Sequence, residues 1–206
     1  MEQKVIPDIV VGRLPIYLRE LQLMSNSGRI ITSSQELGER LGISAAQIRK
    51  DLSQFGEYGK QGTGYEINFL IENLCQILKV DRVWDMVVVG AGDIGSAIAR
   101  YQGFENRGFR VKAIYDNDPK KIGTMIGDFT VRDTSDLSKD IRDMDIKVAM
   151  IAVPGPFAQE VTDELIEAGI KAILNYAPLS INVPEGVRVQ HTDPLTHLQR
   201  MTYYLD

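Results

Sequence analysis

The spacing of hydrophobic positions changes partway along this chain. Between residues 8 and 79, apolar side chains recur three or four positions apart, which places them on one face of a helix. From residue 86 onward, short unbroken apolar runs bounded by glycine, proline and polar residues take over. Such runs are typical of parallel strands buried on both faces. The sequence therefore predicts two domains, a largely helical one over residues 1–80 and an α/β one over residues 81–206.

The first domain is predicted to contain a helix-turn-helix followed by a β-hairpin. A helix over residues 8–24 is expected to restart or kink at Pro15. Two capping boxes, Ser33–Glu36 and Ser44–Gln47, then begin two short helices joined by a glycine-containing turn. The glycine-rich residues 57–67 lie between two potential strands and predict a wing beside the second helix. The pattern indicates a winged helix-turn-helix, and the alternative is a small packing module whose basic residues face solvent.

A winged helix-turn-helix binds duplex DNA through its second helix, which lies in the major groove. Polar and basic positions on that helix can reach base edges or phosphates, and the wing adds a lysine. The candidate DNA contacts are Ser44, Gln47, Arg49, Lys50, Ser53 and Lys60. Residues 1–79 carry nine basic and nine acidic side chains, so DNA recognition must depend on the local placement of charge.

The second domain is organised around a glycine-rich turn. The strand Met86–Val89 leads directly into a Gly-x-Gly-x-x-Gly sequence, and helix-forming residues follow. In this setting the glycines allow a tight turn, a close approach to a pyrophosphate, and close packing of the helix on the strand. The N-terminus of the helix offers free N–H groups and a partial positive charge to phosphates. The candidate phosphate-binding residues are Gly90, Ala91, Gly92, Asp93, Ile94 and Gly95.

A carboxylate ends the next predicted strand. The apolar run 111–115 ends in Asp116, about twenty residues after the glycines, where an acid accepts hydrogen bonds from an adenosine ribose. Aspartate at this position favours NAD over NADP, because a 2′-phosphate would meet a fixed negative charge, although Lys120 and Lys121 follow closely. Strand, glycines, helix, second strand and acid together predict a dinucleotide site in a Rossmann-like parallel-sheet domain.

Two later strands are expected to complete this site. Residues 148–153 and 172–174 are predicted strands, and loops at the carboxyl ends of such strands line the ligand crevice. Val153 and Pro154 are therefore expected to contact the cofactor.

A last apolar stripe lies near the end of the chain, at helical spacing. Its members are Leu195, Leu198, Met201, Tyr204 and Leu205. A helix of this kind usually buries its apolar face against its own domain, and insertion into a second subunit is the alternative.

Composition and residue usage exclude several classes of protein. No apolar run reaches membrane-spanning length and no secretory signal pattern opens the chain, so a cytoplasmic protein is expected. A single cysteine, Cys75, excludes an intramolecular disulfide framework. Neither histidine has an obvious acid or base partner in the sequence, so no proton donor for a dehydrogenase can be nominated. A DNA-binding module joined to a dinucleotide site without catalytic groups predicts a nucleotide-sensing transcription factor, not an enzyme.

The order of these motifs resembles the Rex family of redox-sensing transcriptional repressors, over nearly the whole chain. The resemblance rests on Arg13-Leu14-Pro15-x-Tyr17-Leu18-Arg19, Ala46-Gln47-Ile48-Arg49-Lys50-Asp51-Leu52-Ser53, Gly59-Lys60-Gln61-Gly62-Thr63-Gly64-Tyr65, Gly90-Ala91-Gly92-Asp93-Ile94-Gly95 and Ile173-Leu174-Asn175-Tyr176-Ala177-Pro178. It implies a homodimer that binds a palindromic operator, senses the NADH/NAD⁺ ratio and releases DNA when NADH binds. It also implies that the terminal helix, about residues 194–204, is exchanged into the partner subunit.

The resemblance further implies three residues that respond to the cofactor. The positions that match the family's arginine, tyrosine and aspartate are Arg19, Tyr101 and Asp193, which makes Tyr101 a candidate cofactor contact as well. An apolar residue usually follows the aspartate, whereas this chain has Pro194, a departure that bears on nicotinamide packing. Two other functions stay open. One is an NAD-dependent oxidoreductase with a DNA-binding appendage, and the other is a regulator that responds to coenzyme A or ADP.

Overall fold

The two halves of the chain fold as separate compact units, one ending at Arg82 and the other starting at Val83. The computed structural model describes residues 6–60 and 63–205, and at Lys60 it describes the backbone alone. The α/β architecture predicted from the sequence is confirmed, with helices dominating the first unit and a mostly parallel sheet the second.

The first unit contains five helices and three short strands among its described residues. They are α1 (Asp8–Val11), α2 (Leu14–Asn26), β1 (Ile31–Thr32), α3 (Ser34–Leu41), α4 (Ala45–Leu52), β2 (Gly59–Lys60), β3 (Gly64–Glu66) and α5 (Ile67–Leu78). The strands form an antiparallel sheet in the order β1-β3-β2. The helix predicted over residues 8–24 is two helices. The second restarts at Leu14 with Pro15 in its first turn, where a missing N–H breaks no helical hydrogen bond.

Ser33 and Ser44 cap α3 and α4, since each side-chain oxygen accepts the backbone N–H three residues later. The return bond of a full capping box is absent among the described residues, because the Glu36 and Gln47 side chains bond elsewhere. Gly42 takes a left-handed φ of +66° at the end of α3, which allows α4 to begin three residues later.

The apolar faces of the first unit's helices meet in one core. Its fully buried members include Leu14, Leu21, Leu37, Ile48, Leu70 and Leu74. Burial of such a side chain contributes ~1.5–3 kcal/mol relative to exposure. Ile48 belongs to α4, so the amphipathic pattern that predicts this helix also fixes which of its faces is left for a ligand.

The second unit is built on a seven-stranded sheet. Its elements are β4 (Trp84–Val89), α6 (Asp93–Arg100), β5 (Phe109–Asp116), β6 (Met125–Ile126), β7 (Phe129–Asp133), α7 (Leu137–Asp143), β8 (Val148–Ile151), α8 (Ala158–Ala168), β9 (Ala172–Asn175), β10 (Arg188–His191) and α9 (Pro194–Thr202). The strand order is β10-β9-β8-β4-β5-β7-β6, and only β6 runs antiparallel to its neighbour. Taken in chain order, the six parallel strands lie as 3-2-1-4-5-6, the Rossmann arrangement.

Both faces of the central strand β4 are buried. Met86 and Val88 pack into the core on one side of the sheet, and Val87 and Val89 into the core on the other. This alternation explains why β4 reads as a continuous apolar run. Its carboxyl end lies between β5 and β8, where the strand order reverses and ligands bind in sheets of this kind.

Candidate functional site

A cleft of about 650 Å³ opens at the carboxyl ends of the central strands. The predicted site residues that line it are Gly90, Gly92, Asp93, Ile94, Asp116, Val153 and Pro154. Tyr176 and Pro178, from the loop after β9, also line it. Because β8 ends at Ile151, two residues earlier than predicted, Val153 and Pro154 belong to the loop. Ala91 and Gly95 are buried and do not line the cleft.

The three glycines of the turn differ in what requires them. Gly90 has a φ of +101°, and a Cβ there would lie 2.5 Å from the carbonyl oxygen of Ala152. A Cβ on Gly95 would lie 1.7 Å from the carbonyl oxygen of Gly90, so the start of α6 packs directly on the turn. Around Gly92, in contrast, a Cβ would meet no atom within 4 Å. The chain's own packing therefore does not require glycine at 92, whereas close approach of a ligand does.

The N-terminus of α6 is free to bind an anion. Gly92 is the N-cap residue, and no side chain caps the helix within the described structure. The first-turn N–H groups of such a helix carry a partial positive charge and lack intrahelical partners. Asp93 and Ile94 of that turn line the cleft. Open space at Gly92 and an uncapped helix terminus together fit a pyrophosphate.

The Asp116 carboxylate is buried beside the glycine turn. Its Oδ2 accepts hydrogen bonds from Ala91 N–H (2.8 Å) and Lys121 Nζ (2.9 Å), and its Oδ1 accepts one from Asp118 N–H (2.9 Å). Burial opposes the charged form, but the hydrogen bonds outweigh it and hold the pKa of Asp116 below its usual value. The Asp116 carboxylate is thus ionised and forms an ion pair with Lys121, and the sequence did not indicate this pairing.

The Asn175 side chain holds the backbone of the last motif of the sequence, residues 173–178, in place. This side chain is fully buried at the end of β9. Its Oδ1 accepts Ala177 N–H (2.9 Å), its Nδ2 donates to the carbonyl of Leu179 (2.9 Å), and Nδ2 lies 3.1 Å from His191 Nδ1. The amide therefore shapes the loop that lines the cleft and links it to the end of β10, two residues before Asp193. Sequence reasoning missed this role, although a polar residue closing an apolar strand was the available signal.

The predicted DNA-contacting residues on α4 are not equivalent in the structure. Lys50 is exposed, and no hydrogen bond or ion pair of its side chain occurs among the described residues. Arg49 is exposed too, but its Nη1 donates to Ser34 Oγ at 2.8 Å, which turns it toward α3. Gln47 is half-buried, and its Nε2 donates one hydrogen bond to Asp51 at 2.7 Å, which turns the amide toward Asp51. Of these three, Lys50 extends most freely from the helix.

A concave surface of about 1060 Å³ lies between α4 and the β2–β3 hairpin. Hydroxyl groups and one guanidinium line it, from Ser33, Ser34, Arg49, Ser53, Tyr58 and Thr63, and so do the carboxylates of Glu36 and Glu57. The hydroxyl and guanidinium groups are of the kinds that bind phosphate in DNA-binding proteins, whereas the two carboxylates oppose an anion. The backbone of Lys60 pairs with that of Gly64 across the hairpin. The DNA contact predicted for Lys60 involves its side chain, which lies outside the described part of the structure.

A buried ion pair attaches α4 to the start of α2. Asp51 is 1% exposed and accepts two bonds from Arg13 (2.6 and 2.7 Å) and one from the Tyr17 hydroxyl (2.6 Å). Gln47 supplies the fourth bond. Burial opposes ionisation, but these bonds outweigh it and lower the pKa of Asp51. Sequence reasoning did not identify this pair, whose partners lie 38 positions apart.

The three predicted switch residues do not meet within one unit. Arg19 is exposed on α2, and Asp193 caps α9 by accepting Leu195 N–H at 2.9 Å. Tyr101 is half exposed at the end of α6 and makes an edge-to-face contact with Phe104. It does not line the cleft, since eight helical residues, ~12 Å, separate it from the glycine turn. The role of Tyr101 as a cofactor contact therefore stays a prediction.

The described residues of α9 include none that is buried. Its apolar side chains Leu195, Leu198 and Met201 are each at least half exposed. The helix therefore does not bury its stripe against its own unit, contrary to the usual behaviour of such helices. Within residues 6–60 and 63–205, no cluster of three metal-ligating side chains occurs and no helix is suited to crossing a membrane.

Comparison with known proteins gives matches over both units. A family model described as "CoA binding domain" matches residues 81–179, and one described as "Putative DNA-binding protein N-terminus" matches residues 5–53. The redox-sensing transcriptional repressor Rex of Chloroflexus aurantiacus is 51% identical over 97% of this chain and 94% of the relative. The Rex protein of Streptomyces coelicolor is 41% identical over 97% of this chain and 77% of the relative.

Two solved structures are similar over almost the entire chain. The structure of the protein RSP in complex with NAD⁺ and operator DNA has a TM-score of 0.92 and 36% identity, covering 98% of this chain and 94% of RSP. The structure of RSP in complex with NADH has a TM-score of 0.90 and 35% identity, with coverages of 98% and 95%.

Proposed function

Because this chain belongs to the Rex family of redox-sensing transcriptional repressors, we propose that it binds a palindromic DNA operator and leaves it when NADH occupies the cleft of its second unit. Members of this family are repressors and not enzymes. The observation that carries the proposal is the open, uncapped start of α6 at Gly92 beside the buried Asp116 carboxylate. The chain's own packing does not require glycine at position 92, whereas the close approach of a dinucleotide does.

Each part of the dinucleotide has a counterpart in the cleft. The pyrophosphate is held at Gly92 and the first turn of α6, and the adenosine ribose at Asp116. The nicotinamide lies by Val153 and Pro154 in the loop after β8, and β4 separates this loop from Asp116 at the end of β5. NADH and NAD⁺ differ at that ring, which is neutral when reduced and cationic when oxidised. A site that distinguishes the two forms must therefore do so through these loops.

The first unit, residues 1–80, supplies DNA recognition in this proposal. Lys50 contacts base edges, because it alone among the basic residues of α4 is exposed without a described partner. Arg49 and Ser34 together contact phosphate, and Lys60 on the wing adds a second phosphate or minor-groove contact. Binding to operator DNA places the site of action in the cytoplasm.

The second unit, residues 81–206, supplies dimerisation as well as cofactor binding. The unburied apolar face of α9 supports insertion of this helix into a second copy of the chain. A dimer places two α4 helices on half-sites about one helical turn, ~34–36 Å, apart. Light scattering of the purified chain measures whether two copies associate.

The switch requires two packings of the dimer that differ in their affinity for NADH, because a ligand shifts an equilibrium only by its differential affinity. Arg19, Tyr101 and Asp193 are the residues proposed to exchange partners between these packings. Asp193 caps α9 and follows the Asn175–His191 contact by two residues, so it lies where a change in the cleft loop reaches the terminal helix.

The test is a titration of operator binding with each dinucleotide. The probe is a fluorescent duplex selected by the protein itself from a random-sequence pool. Fluorescence anisotropy is then followed while NADH or NAD⁺ is added separately. Release by NADH at concentrations where NAD⁺ leaves the complex intact supports the proposal. Equal effects of the two dinucleotides contradict it.

A second candidate is a regulator that binds coenzyme A, because residues 81–179 match the CoA-binding family model. Coenzyme A carries a 3′-phosphate on its adenosine ribose, which would lie beside the Asp116 carboxylate. Competition distinguishes the two ligands. If coenzyme A displaces NADH at lower concentrations than NAD⁺ does, and if coenzyme A alone releases the operator, the second candidate replaces the first.

A further inference from the structure

We propose that Lys121 is an internal counterion in the adenosine ribose subsite, and that it determines how strongly this site rejects a 2′-phosphorylated dinucleotide. The inference rests on the NADH site proposed above. It concerns the loop after β5, where the sequence predicts selectivity for NAD from the charge of Asp116 and places Lys120 and Lys121 close by. The structure shows a charge pair at this position.

The pair has well-defined geometry. Lys121 Nζ lies 2.9 Å from Asp116 Oδ2, and both residues line the cleft. The aspartate side chain is 8% exposed and the lysine side chain 39% exposed. Lys121, the more exposed of the two, therefore contacts the carboxylate within the cleft where the ribose is proposed to bind.

The acceptor capacity of Asp116 makes Lys121 a competitor of the ribose. A carboxylate offers about four lone-pair sites, two on each oxygen. Oδ2 already accepts from Ala91 N–H and Lys121, and Oδ1 accepts from Asp118 N–H. One site therefore remains for two ribose hydroxyls. Both can donate to the carboxylate only if Lys121 gives up its bond, since the two N–H bonds come from fixed backbone.

The displaced ammonium group stays next to the 2′ position of the ribose. With NADH it faces a hydroxyl oxygen and gains little. With NADPH it faces a phosphate carrying between one and two negative charges, with which it forms a charge-assisted hydrogen bond. Lys121 thus weakens the rejection that Asp116 alone would impose. Removing its charge should make the site more selective for NADH.

The neighbouring Lys120 provides a matched control. It is exposed, does not line the cleft, and carries the same charge one position away. Replacing either lysine by methionine removes one positive charge and keeps the apolar stem. Lys121→Arg keeps the charge and serves as the conservative variant. All three are tested in the full chain, with dissociation constants for NADH and NADPH measured by fluorescence and by displacement.

We expect Lys121→Met to raise the NADPH-to-NADH ratio of dissociation constants at least tenfold, through weaker NADPH binding and also through tighter NADH binding, because the bond that competes with the ribose is gone. Lys120→Met should change this ratio less than twofold, and Lys121→Arg less than threefold. Competition with 2′,5′-ADP and with 5′-ADP should show the same contrast, which confines the effect to the ribose subsite.

Three results overturn the inference. They are an unchanged ratio in Lys121→Met, equal weakening of both dinucleotides, and an equal change of the ratio in Lys120→Met. Equal weakening would mean that Lys121 attracts the shared pyrophosphate. These results differ from failure of the proposed function, in which the wild-type chain binds no NADH at all.

Discussion

The Arg13–Asp51 pair makes a prediction about the stability of the first unit. Replacing Asp51 by alanine leaves the Arg13 guanidinium and the buried Tyr17 hydroxyl without their acceptor. Removing one partner of a buried ion pair costs about 3–5 kcal/mol. Arg13 keeps 21% of its side chain exposed, so water recovers part of that loss. We therefore expect a loss of ~3 kcal/mol in the free energy of unfolding.

The assay is thermal or urea unfolding of the full chain, monitored with a spectroscopic probe located in the first unit. A loss of this size lowers the melting temperature of a domain of 60–100 residues by ~12–24 °C. The matched control is Glu20→Ala, which breaks the Arg40–Glu20 pair (3.0 Å) in the same unit. That pair is largely exposed on the arginine side, so its removal should cost about 0–1 kcal/mol.

The contribution of Asp51 should also depend on pH. Its folded-state pKa lies below the usual value, so the unfolded chain takes up the proton first as pH falls. The stabilisation is complete above the unfolded pKa, ~3.9, and is lost as pH falls through the folded pKa. The difference between wild type and Asp51→Ala should therefore be constant from pH 7 to 5 and shrink only in stronger acid.

Two outcomes would refute this reasoning. The first is an Asp51→Ala variant that loses no more stability than Glu20→Ala. The second is a double-mutant cycle in which Arg13→Ala and Asp51→Ala are simply additive, because contacting partners of one pair must show a coupling energy.

Other changes separate structural from functional roles. Gly95→Ala should lower the free energy of unfolding of the second unit by ~1–3 kcal/mol, because the added methyl group overpacks against the turn. Gly92→Ala should have the melting temperature of the wild type but lose NADH binding in a fluorescence titration. Asn175→Ala should cost ~1–3 kcal/mol in urea unfolding, because buried groups lose their partner. In anisotropy titrations, Lys50→Ala should cost about 1–3 kcal/mol and relax specificity at one base pair, whereas Lys60→Ala should weaken all sequences and reduce the salt slope by about one unit.

The sequence predicted the elements whose causes are local. The glycine turn, the apolar strand before it and the acid after the next strand lie within a few tens of residues, and each has its own chemical signature. The strand order follows, because right-handed crossovers leave few arrangements for alternating strands and helices. Local sequence signals are therefore sufficient to locate the cleft at Gly92 and Asp116.

Side-chain partners could not be predicted in the same way. Asp51 and Arg13 are 38 positions apart, and only the packing of α2 on its neighbours brings them together. Gln47 stays a predicted DNA contact, and the sequence did not indicate that its amide also donates to a buried carboxylate one helical turn away. The sequence places both Lys120 and Lys121 close behind Asp116, but it does not indicate that Lys121, and not Lys120, donates a hydrogen bond to the carboxylate. Partner choice depends on tertiary geometry, which periodicity does not encode.

Three of the buried polar side chains occupy segments that are proposed to bind ligands. Asp51 lies on the proposed recognition helix, Asp116 beside the phosphate turn, and Asn175 under the loop that lines the cleft. Burying a polar group is unfavourable unless every hydrogen bond is made, so each tolerates few orientations of its segment. Apolar packing alone would permit small rotations of α4 or of the loop. A polar residue at an apolar position of the pattern, as Asp51 is between Ile48 and Leu52, is thus a sequence signal for a segment whose orientation matters.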